Sequence, residues 1–288
     1  MHAENPKNAV EFLQKTQIVL EKDEVRGNLV YGLANNLIKN EYYYGSRAPF
    51  YSIICEKSDI KIIGLMTFPH SLVIYQNGNY DDVSMDLFIE NVLENFDSIP
   101  GINGELEQAE TFRKKWIEKT GYASVLNRKL RCFKLEKVNE YIIPEGIFRQ
   151  AGKNDIETLK KFIVDFSEQI NEPVDDYEKL FRNAEQNILS GLYYVWESGS
   201  IVSMAQRMRP TKNGMAVSSV YTPKEYRNKG YGTAVVSELS RNILNSGKTF
   251  CTLYTDLSNP VSNSIYQKIG YKKVCDNINY IFIRPGIT

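Results

Sequence analysis

The sequence predicts a mixed α+β protein of two units. Three observations carry this. The chain has 288 residues, which suits two domains at about 150 residues each. Runs with helical spacing alternate with short β-rich runs along its whole length, the pattern of helices packed on a sheet. The two halves also echo each other. Each has two early helical runs and a meander of strand-like runs. Alternating strand and helix follow, ending in Gly-Tyr and a strand, at Gly121-Tyr122 and Gly270-Tyr271. A helix that closes on a left-handed glycine gives the same Gly-aromatic step without duplication, so the echo alone leaves both origins open.

The elements follow in order. Pro6 stands near a helix start, and Val10, Leu13 and Ile18 fall at roughly helical spacing. A second helical run carries Val25, Leu29, Leu33 and Leu37 at a strict spacing of four. Strand-like Phe50–Glu56, Ile60–Phe68 and Leu72–Gln76 come next, broken at Ser58-Asp59 and Pro69-His70. Helices are expected over Asp81–Asn95 and Glu105–Thr120, and a strand over Ser124–Lys137. A linker near Val138–Gly146 contains Pro144 and divides the chain into domains 1–137 and 138–288. In the second domain, strand-like Phe148–Ala151 leads to helices over Asp155–Ile170 and Asp175–Ser190. Strands are expected at Leu192–Glu197, Ile201–Met208, Ala216–Thr222, Thr249–Asp256, Lys272–Asp276 and Tyr280–Arg284.

Composition excludes several function classes. Thirty-five Lys+Arg balance 35 Asp+Glu, against the basic footprint of a nucleic-acid binder. No apolar run is long enough to span a membrane, and no signal-peptide core is visible in the first 25 residues. Cys55, Cys132, Cys251 and Cys275 form no C-x-x-C pair, so they read as reduced cysteines of a cytoplasmic protein. With only His2 and His70, a His-rich metal centre is excluded, and no metal is expected. His2 is expected in a frayed terminus, and His70 in a turn after Pro69.

Chemistry concentrates in Val217–Tyr271. A strand, Val217–Thr222, is stopped by Pro223, and Arg227-Asn228-Lys229-Gly230-Tyr231-Gly232-Thr233 follows. Next comes an amphipathic helix with Val235, Val236, Leu239, Ile243 and Leu244, stopped at Gly247. Glycines entering a helix let backbone N–H groups approach an anion, and the helix start adds partial positive charge. Arg227 and Lys229 add full charges. This is a cradle for a phosphate or diphosphate. A P-loop reading fails because Gly232 is followed by Thr233, with no Lys. A dinucleotide fingerprint has Val235 at its third glycine position, although Asp256 would suit a ribose. The pattern Arg-x-x-Gly-x-Gly fits in full at Arg227, Gly230 and Gly232.

Together with Asn259-Pro260 opening a short helix, Asn263, Tyr266 and the closing Gly270-Tyr271, this segment resembles the acetyl-CoA-binding core of the GCN5-related N-acetyltransferase (GNAT) superfamily. The resemblance covers roughly residues 146–286. The first half resembles the family in outline only, which implies a tandem arrangement with a degenerate N-terminal copy. Each unit would be a mostly antiparallel twisted sheet flanked by helices, with splayed central strands in the C-terminal unit. The first half has no Arg-x-x-Gly-x-Gly after Tyr75–Tyr80, and Ile117 stands where the second half has Tyr266. It is therefore expected not to bind CoA and to complete the acceptor cleft instead.

The resemblance implies the following roles. Acetyl-CoA is the co-substrate. The backbone near Val220, Tyr221 and Thr222 bonds the pantetheine arm, and the Val220 N–H polarises the thioester. The diphosphate rests on N–H groups from Asn228 to Thr233, and Asn259 and Asn263 contact the lower pantetheine or acceptor side. Tyr266 protonates the departing thiolate. Many relatives carry a Glu on the fourth strand, but Ser218 and Ser219 stand there. This leaves Asp256 or a water chain as the base. The expected activity is direct N-acetyl transfer to a small-molecule or peptide amine, by a monomer or homodimer. A non-catalytic acyl-CoA sensor is the alternative. Lys153–Ser190 holds nine acidic residues against five basic; these either line an acceptor site for a cationic amine or cover solvated helix faces.

Overall fold

The computed structural model describes residues 1–78, 81–170, 172, 174 and 176–284, with side chains undescribed at 261 and 262. Asn79, Tyr80 and Asp175, used in the readings above, lie outside the described residues. Two compact units form. The first holds Met1–Cys132, Thr255–Asn259 and Lys273–Thr288; the second holds Phe133–Tyr254 and Pro260–Lys272. The expected division at 137/138 treats the chain as two consecutive blocks. The structure differs because the last strand is hydrogen-bonded within the first unit.

The first half of the chain runs β1 (His2–Glu4), α1 (Ala9–Lys22), α2 (Asn28–Lys39), β2 (Phe50–Glu56), β3 (Asp59–Met66) and β4 (Leu72–Gln76). It continues through α3 (Asp82–Asn95), β5 (Gly101–Glu105), α4 (Leu106–Thr120) and β6 (Ala123–Leu135). His2 is not frayed: β1 pairs antiparallel with β2, His2 opposite Cys55. The α1 helix forms as expected, but its buried face is different. Ala9, Phe12, Leu13, Thr16 and Leu20 face inward, while Val10 and Ile18 are exposed. Phe12 packs on the Tyr51 ring, 4.9 Å between centroids, and that contact sets the rotation. In α2 the strict four-residue stripe drifts by about 40° per step around a 3.6-residue helix. The buried apolar side chains are therefore Val30, Ala34 and Leu37.

The second half runs β7 (Ile147–Gln150), α5 (Ile156–Gln169), α6 (Tyr177–Leu189), β8 (Tyr193–Ser198), β9 (Ser200–Met208) and β10 (Gly214–Tyr221). Then come α7 (Tyr231–Asn245), β11 (Phe250–Asp256), α8 (Pro260–Ile269) and β12 (Lys272–Ile283). Two expected terminal strands are thus one. Asn277 and Asn279 are poor strand formers, yet the segment pairs with β5 from Asn277↔Glu105 to Ile281↔Gly101. The Asn279 amide also donates to Ser71 Oγ (2.9 Å) and to the Ile102 carbonyl (3.2 Å). The same contact explains β5, which no periodicity announces. A Cβ on Gly101 would run into the Tyr280 carbonyl, and one on Gly104 into Ile74. These two glycines let neighbouring strands and side chains approach.

In the first unit the strand order is β1-β2-β3-β4-β5-β12-β6, and in the second it is β7-β8-β9-β10-β11. Helix α7 buries Ala234, Val235, Leu239 and Ile243 on one face of the second sheet, with Tyr194, Trp196 and Val217. Helices α5 and α6 cover the other face through Leu159, Ile163, Ala184 and Ile188, against Tyr193, Val195 and Tyr221. The alternation of Tyr193 through Trp196 between these two cores is the period of a strand buried on both sides. All four cysteines are free and buried. Among the described residues no helix is long and apolar enough to cross a membrane.

Candidate functional site

Strand β10 carries two irregularities within a few residues. It pairs in parallel with β11 only over Gly214↔Phe250, Met215↔Cys251 and Ala216↔Thr252. Beyond that step the two strands share no further register and splay apart. On its other edge, Ser218 pairs with Gln206 and Tyr221 with Met204. One extra residue is therefore accommodated on β10, a β-bulge that drops the backbone of Ser219-Val220 out of the ladder. Ser219 sits at φ 49°, and its hydroxyl donates to Gln206 Oε1 at 3.0 Å. The bulge lies beside the opening between the strands.

The strand leads into the glycine-bearing loop. Lys224–Tyr226 form one 3-10 turn, and α7 begins at Tyr231 with Gly230 as its N-cap. Gly230 adopts φ 84° and Asn228 φ 62°, so two left-handed residues flank Lys229. The first intrahelical bond runs from Ala234 N to Gly230 O (2.9 Å). Among the described residues, no acceptor meets the N–H groups of Asn228 to Thr233. Six exposed or half-exposed donors thus lie in and just before the first turn of α7, and no side-chain cap competes for them. Gly232 is needed for space, because a Cβ there would lie 3.2 Å from Thr222 Oγ1. Thr222 Oγ1 is in turn held 2.8 Å from Ser203 Oγ.

The charged residues of the motif have structural duties as well. Arg227 Nε donates to the Thr222 carbonyl (2.9 Å) and its Nη2 to Gln169 Oε1 (2.7 Å). This braces the loop against α5 while keeping a positive charge at its start. Lys229 Nζ lies 5.9 Å from the Tyr226 ring centroid.

Tyr266 lies on α8 in the core cluster that also holds Val217 and Leu253, the residues just past the end of the β10–β11 ladder. Its ring sits 6.3 Å from Phe133 and 6.0 Å from Tyr271. Burial alone pushes its phenol up to about 12, and the hydroxyl has no hydrogen-bond partner among the described residues. A packing tyrosine normally pairs its hydroxyl when buried; this one keeps a proton with no internal use. Asn263 follows Pro260 on the same helix.

Asp256 and Asn259 fall with the first compact unit, whereas Tyr266, β10 and the glycine loop fall with the second. The Asp256 carboxylate accepts from the Ser258 N–H (2.7 Å) and hydroxyl (2.6 Å). It closes its own turn, which weakens the case for it as a base. A second carboxylate, Asp165, counts in the sequence only as one of the nine acidic residues of Lys153–Ser190 and is not singled out there. The Tyr221 hydroxyl donates to Asp165 Oδ2 on α5 at 3.0 Å. Burial, then this bond, raises the Tyr221 phenol to about 12. Both residues line a cleft of about 680 Å³ with Phe162, Glu168, Lys224 and Arg227. No spacing pattern signals this pair, since Asp165 and Tyr221 are 56 positions apart.

Residues 196–281 match the family model described as FR47-like protein. No curated protein matches the chain. Solved structures do. A GNAT-family acetyltransferase from Colwellia psychrerythraea is 10% identical, with TM-score 0.65, 99% of this chain covered and 100% of that one. A GCN5-related N-acetyltransferase from Sphaerobacter thermophilus is 14% identical, with TM-score 0.64 and 99% and 96% covered. A tandem GNAT protein from the clavulanic acid biosynthesis pathway is 8% identical, with TM-score 0.58 and both chains covered in full. The chain has the tandem GNAT fold.

The two copies of that GNAT fold differ at the same point. In the first, β4 and β5 also pair in parallel over only two positions, Leu72↔Ile102 and Val73↔Asn103, so the splay is kept. The helix start is not. Asp81 caps α3, and its carboxylate accepts from the N–H groups of Val83 (3.1 Å) and Ser84 (3.3 Å). The Ser84 hydroxyl holds that carboxyl below its usual range. A negative charge thus occupies the donors that the second copy leaves open.

Proposed function

We propose that this chain is an acetyl-CoA-dependent N-acetyltransferase acting on a primary amine. The observation that carries the reading is the row of unfilled N–H groups from Asn228 to Thr233, set beside a strand pair that splays after Ala216/Thr252. The donors suit a diphosphate, and the splay suits an extended amide-bearing arm that completes the broken ladder. When bound, acetyl-CoA supplies the activated acyl group.

The chain's own residues then do four things. The Asn228–Thr233 amides and the nearby Arg227 hold the anionic end. The bulged backbone at Ser219-Val220 offers a donor for charge that develops on the acyl oxygen. Tyr266, protonated throughout the working range, donates a proton to the leaving sulfur. Holding both reactants supplies much of the rate.

The acceptor must lose a proton before attack, because an alkylamine has a pKa of about 10.4. Asp165, fixed through one oxygen by Tyr221, is the group we assign to that proton. Lys161, Lys224 and Arg227 share its cleft with Glu168 and Glu225. Asp165→Asn is expected to lower kcat/KM for the amine by about 100-fold near neutrality. The deficit narrows toward high pH, where the amine is already deprotonated. A deficit that stays constant with pH would remove Asp165 from the proton path.

Isothermal titration tests the reading itself, with one acetyl-CoA expected per chain. Two would mean that Asp81 does not block the first copy, and none would end the proposal. Serines at 218 and 219 in place of a carboxylate on β10 favour a second reading, an acyl-CoA sensor. CoA release over a panel of primary amines separates the two, since a sensor binds acetyl-CoA and turns nothing over.

A further inference from the structure

The edge of the first sheet carries a second cluster of chemically able side chains. Strand β1 has three residues, and His2 and Glu4 lie on the same face of it because strand side chains alternate with period two. The residue directly opposite His2 is Cys55. The register shift beside Cys55 places its extra residue, Lys61, on β3, so β2 keeps an unbroken register with β1 and Cys55 stays on the His2 face. One imidazole nitrogen, one carboxylate oxygen and one thiol sulfur are thereby gathered within 4.8 Å of one another. His2 Nε2 lies 3.0 Å from Glu4 Oε1. The second Glu4 oxygen is held by Lys15 Nζ at 2.8 Å.

We propose that His2, Glu4 and Cys55 bind one zinc-class divalent cation, which clips β1 to β2. Nitrogen, sulfur and a single carboxylate oxygen are the donor set of a borderline cation; calcium and magnesium take oxygen ligands. Binding replaces the His2–Glu4 contact with metal bonds to Nε2, Oε1 and Sγ. The Cys55 S–H bond breaks, its proton goes to solvent, and the thiolate becomes the third protein ligand. Water fills the fourth position. Lys15 remains on the distal Glu4 oxygen and orients the carboxylate from outside. It also places a like charge nearby, which holds the affinity below that of an all-thiolate site. The site needs neither the glycine loop nor Tyr266, so it is independent of the transfer reaction. Its consequence is mechanical: a three-residue edge strand gains a cross-link to its neighbour.

Titration of the full chain with Co²⁺ tests this, because a cobalt–thiolate bond gives a charge-transfer absorption that oxygen and nitrogen ligands do not. One equivalent is expected to produce that absorption, and Zn²⁺ is expected to displace it. Zn²⁺ is also expected to raise the melting temperature. Cys55→Ser removes the sulfur band. Because Cys55 is buried its replacement could unfold the sheet, so two exposed-edge variants keep the test sound. The His2 and Glu4 side chains are 52% and 32% exposed. His2→Ala and Glu4→Gln are expected to keep the circular-dichroism spectrum and to weaken Co²⁺ binding at least about tenfold. Binding without the sulfur band, no binding at all, or binding indifferent to both edge variants would each overturn the assignment.

Discussion

Replacing Gly230 with proline is expected to weaken acetyl-CoA binding at least ~100-fold, equivalent to about 2.7 kcal/mol. The residue sits at φ 84°, and proline fixes φ near −65° and carries no N–H. The chain cannot reach the start of α7 along the same path, so the amides on either side of position 230 lose their common focus. Gly230→Ala keeps the N–H but must hold a left-handed conformation, at a cost of about 1–2 kcal/mol. A smaller loss, about tenfold, is expected there. Titration calorimetry measures both, and thermal melting checks that each variant is folded. The Gly230 N-cap is exposed, so both variants are expected to stay folded with a melting temperature lowered by a few degrees. A folded Gly230→Pro chain that still binds acetyl-CoA with the parent affinity would refute the cradle.

Removing the Tyr266 hydroxyl is expected to have the second large effect. Tyr266→Phe should lower kcat by roughly 100-fold or more and leave the acetyl-CoA dissociation constant unchanged. The argument rests on a separation that few buried tyrosines allow. The ring packs against Phe133 and Tyr271, and phenylalanine preserves that packing. The hydroxyl has no internal hydrogen bond to lose, so stability is expected to hold or rise slightly. What disappears is a proton donor. Burial raises its pKa to about 12, so the phenol is protonated below that value and ionises only above it. The parent rate profile is therefore expected to show no alkaline limb from Tyr266 at or below pH 10. Unaltered turnover in the phenylalanine variant would reduce Tyr266 to a packing residue.

Local rules carried much of the fold. Strand β2 runs over Phe50–Glu56 as its composition indicates, and α8 begins at Pro260 after Asn259, as cap chemistry requires. The glycine loop was equally legible, because left-handed backbone and close approach leave a signature in residue type. Errors arose where a contact distant in sequence overruled a local preference. Strand β5, with Gly101 and Gly104 pressed against β12 and β4, was not anticipated at all. Val10 and Ile18 look like core and face solvent, because Phe12 docks on Tyr51. Nothing in the acidic run of Lys153–Ser190 singles out Asp165, and only folding brings it to the Tyr221 hydroxyl.

Most helices and strands, and the glycine-bearing start of α7, were legible in residue order alone, since each depends on residues within a turn or two of one another. The tertiary structure decided which side chains meet. It put the final strand into the first unit, turned Asp256 onto its own loop and set Cys55 opposite His2. The physical reason is that helix, turn and cap energies are local, while side-chain encounters depend on strand register and helix rotation. Those are fixed only when whole surfaces pack.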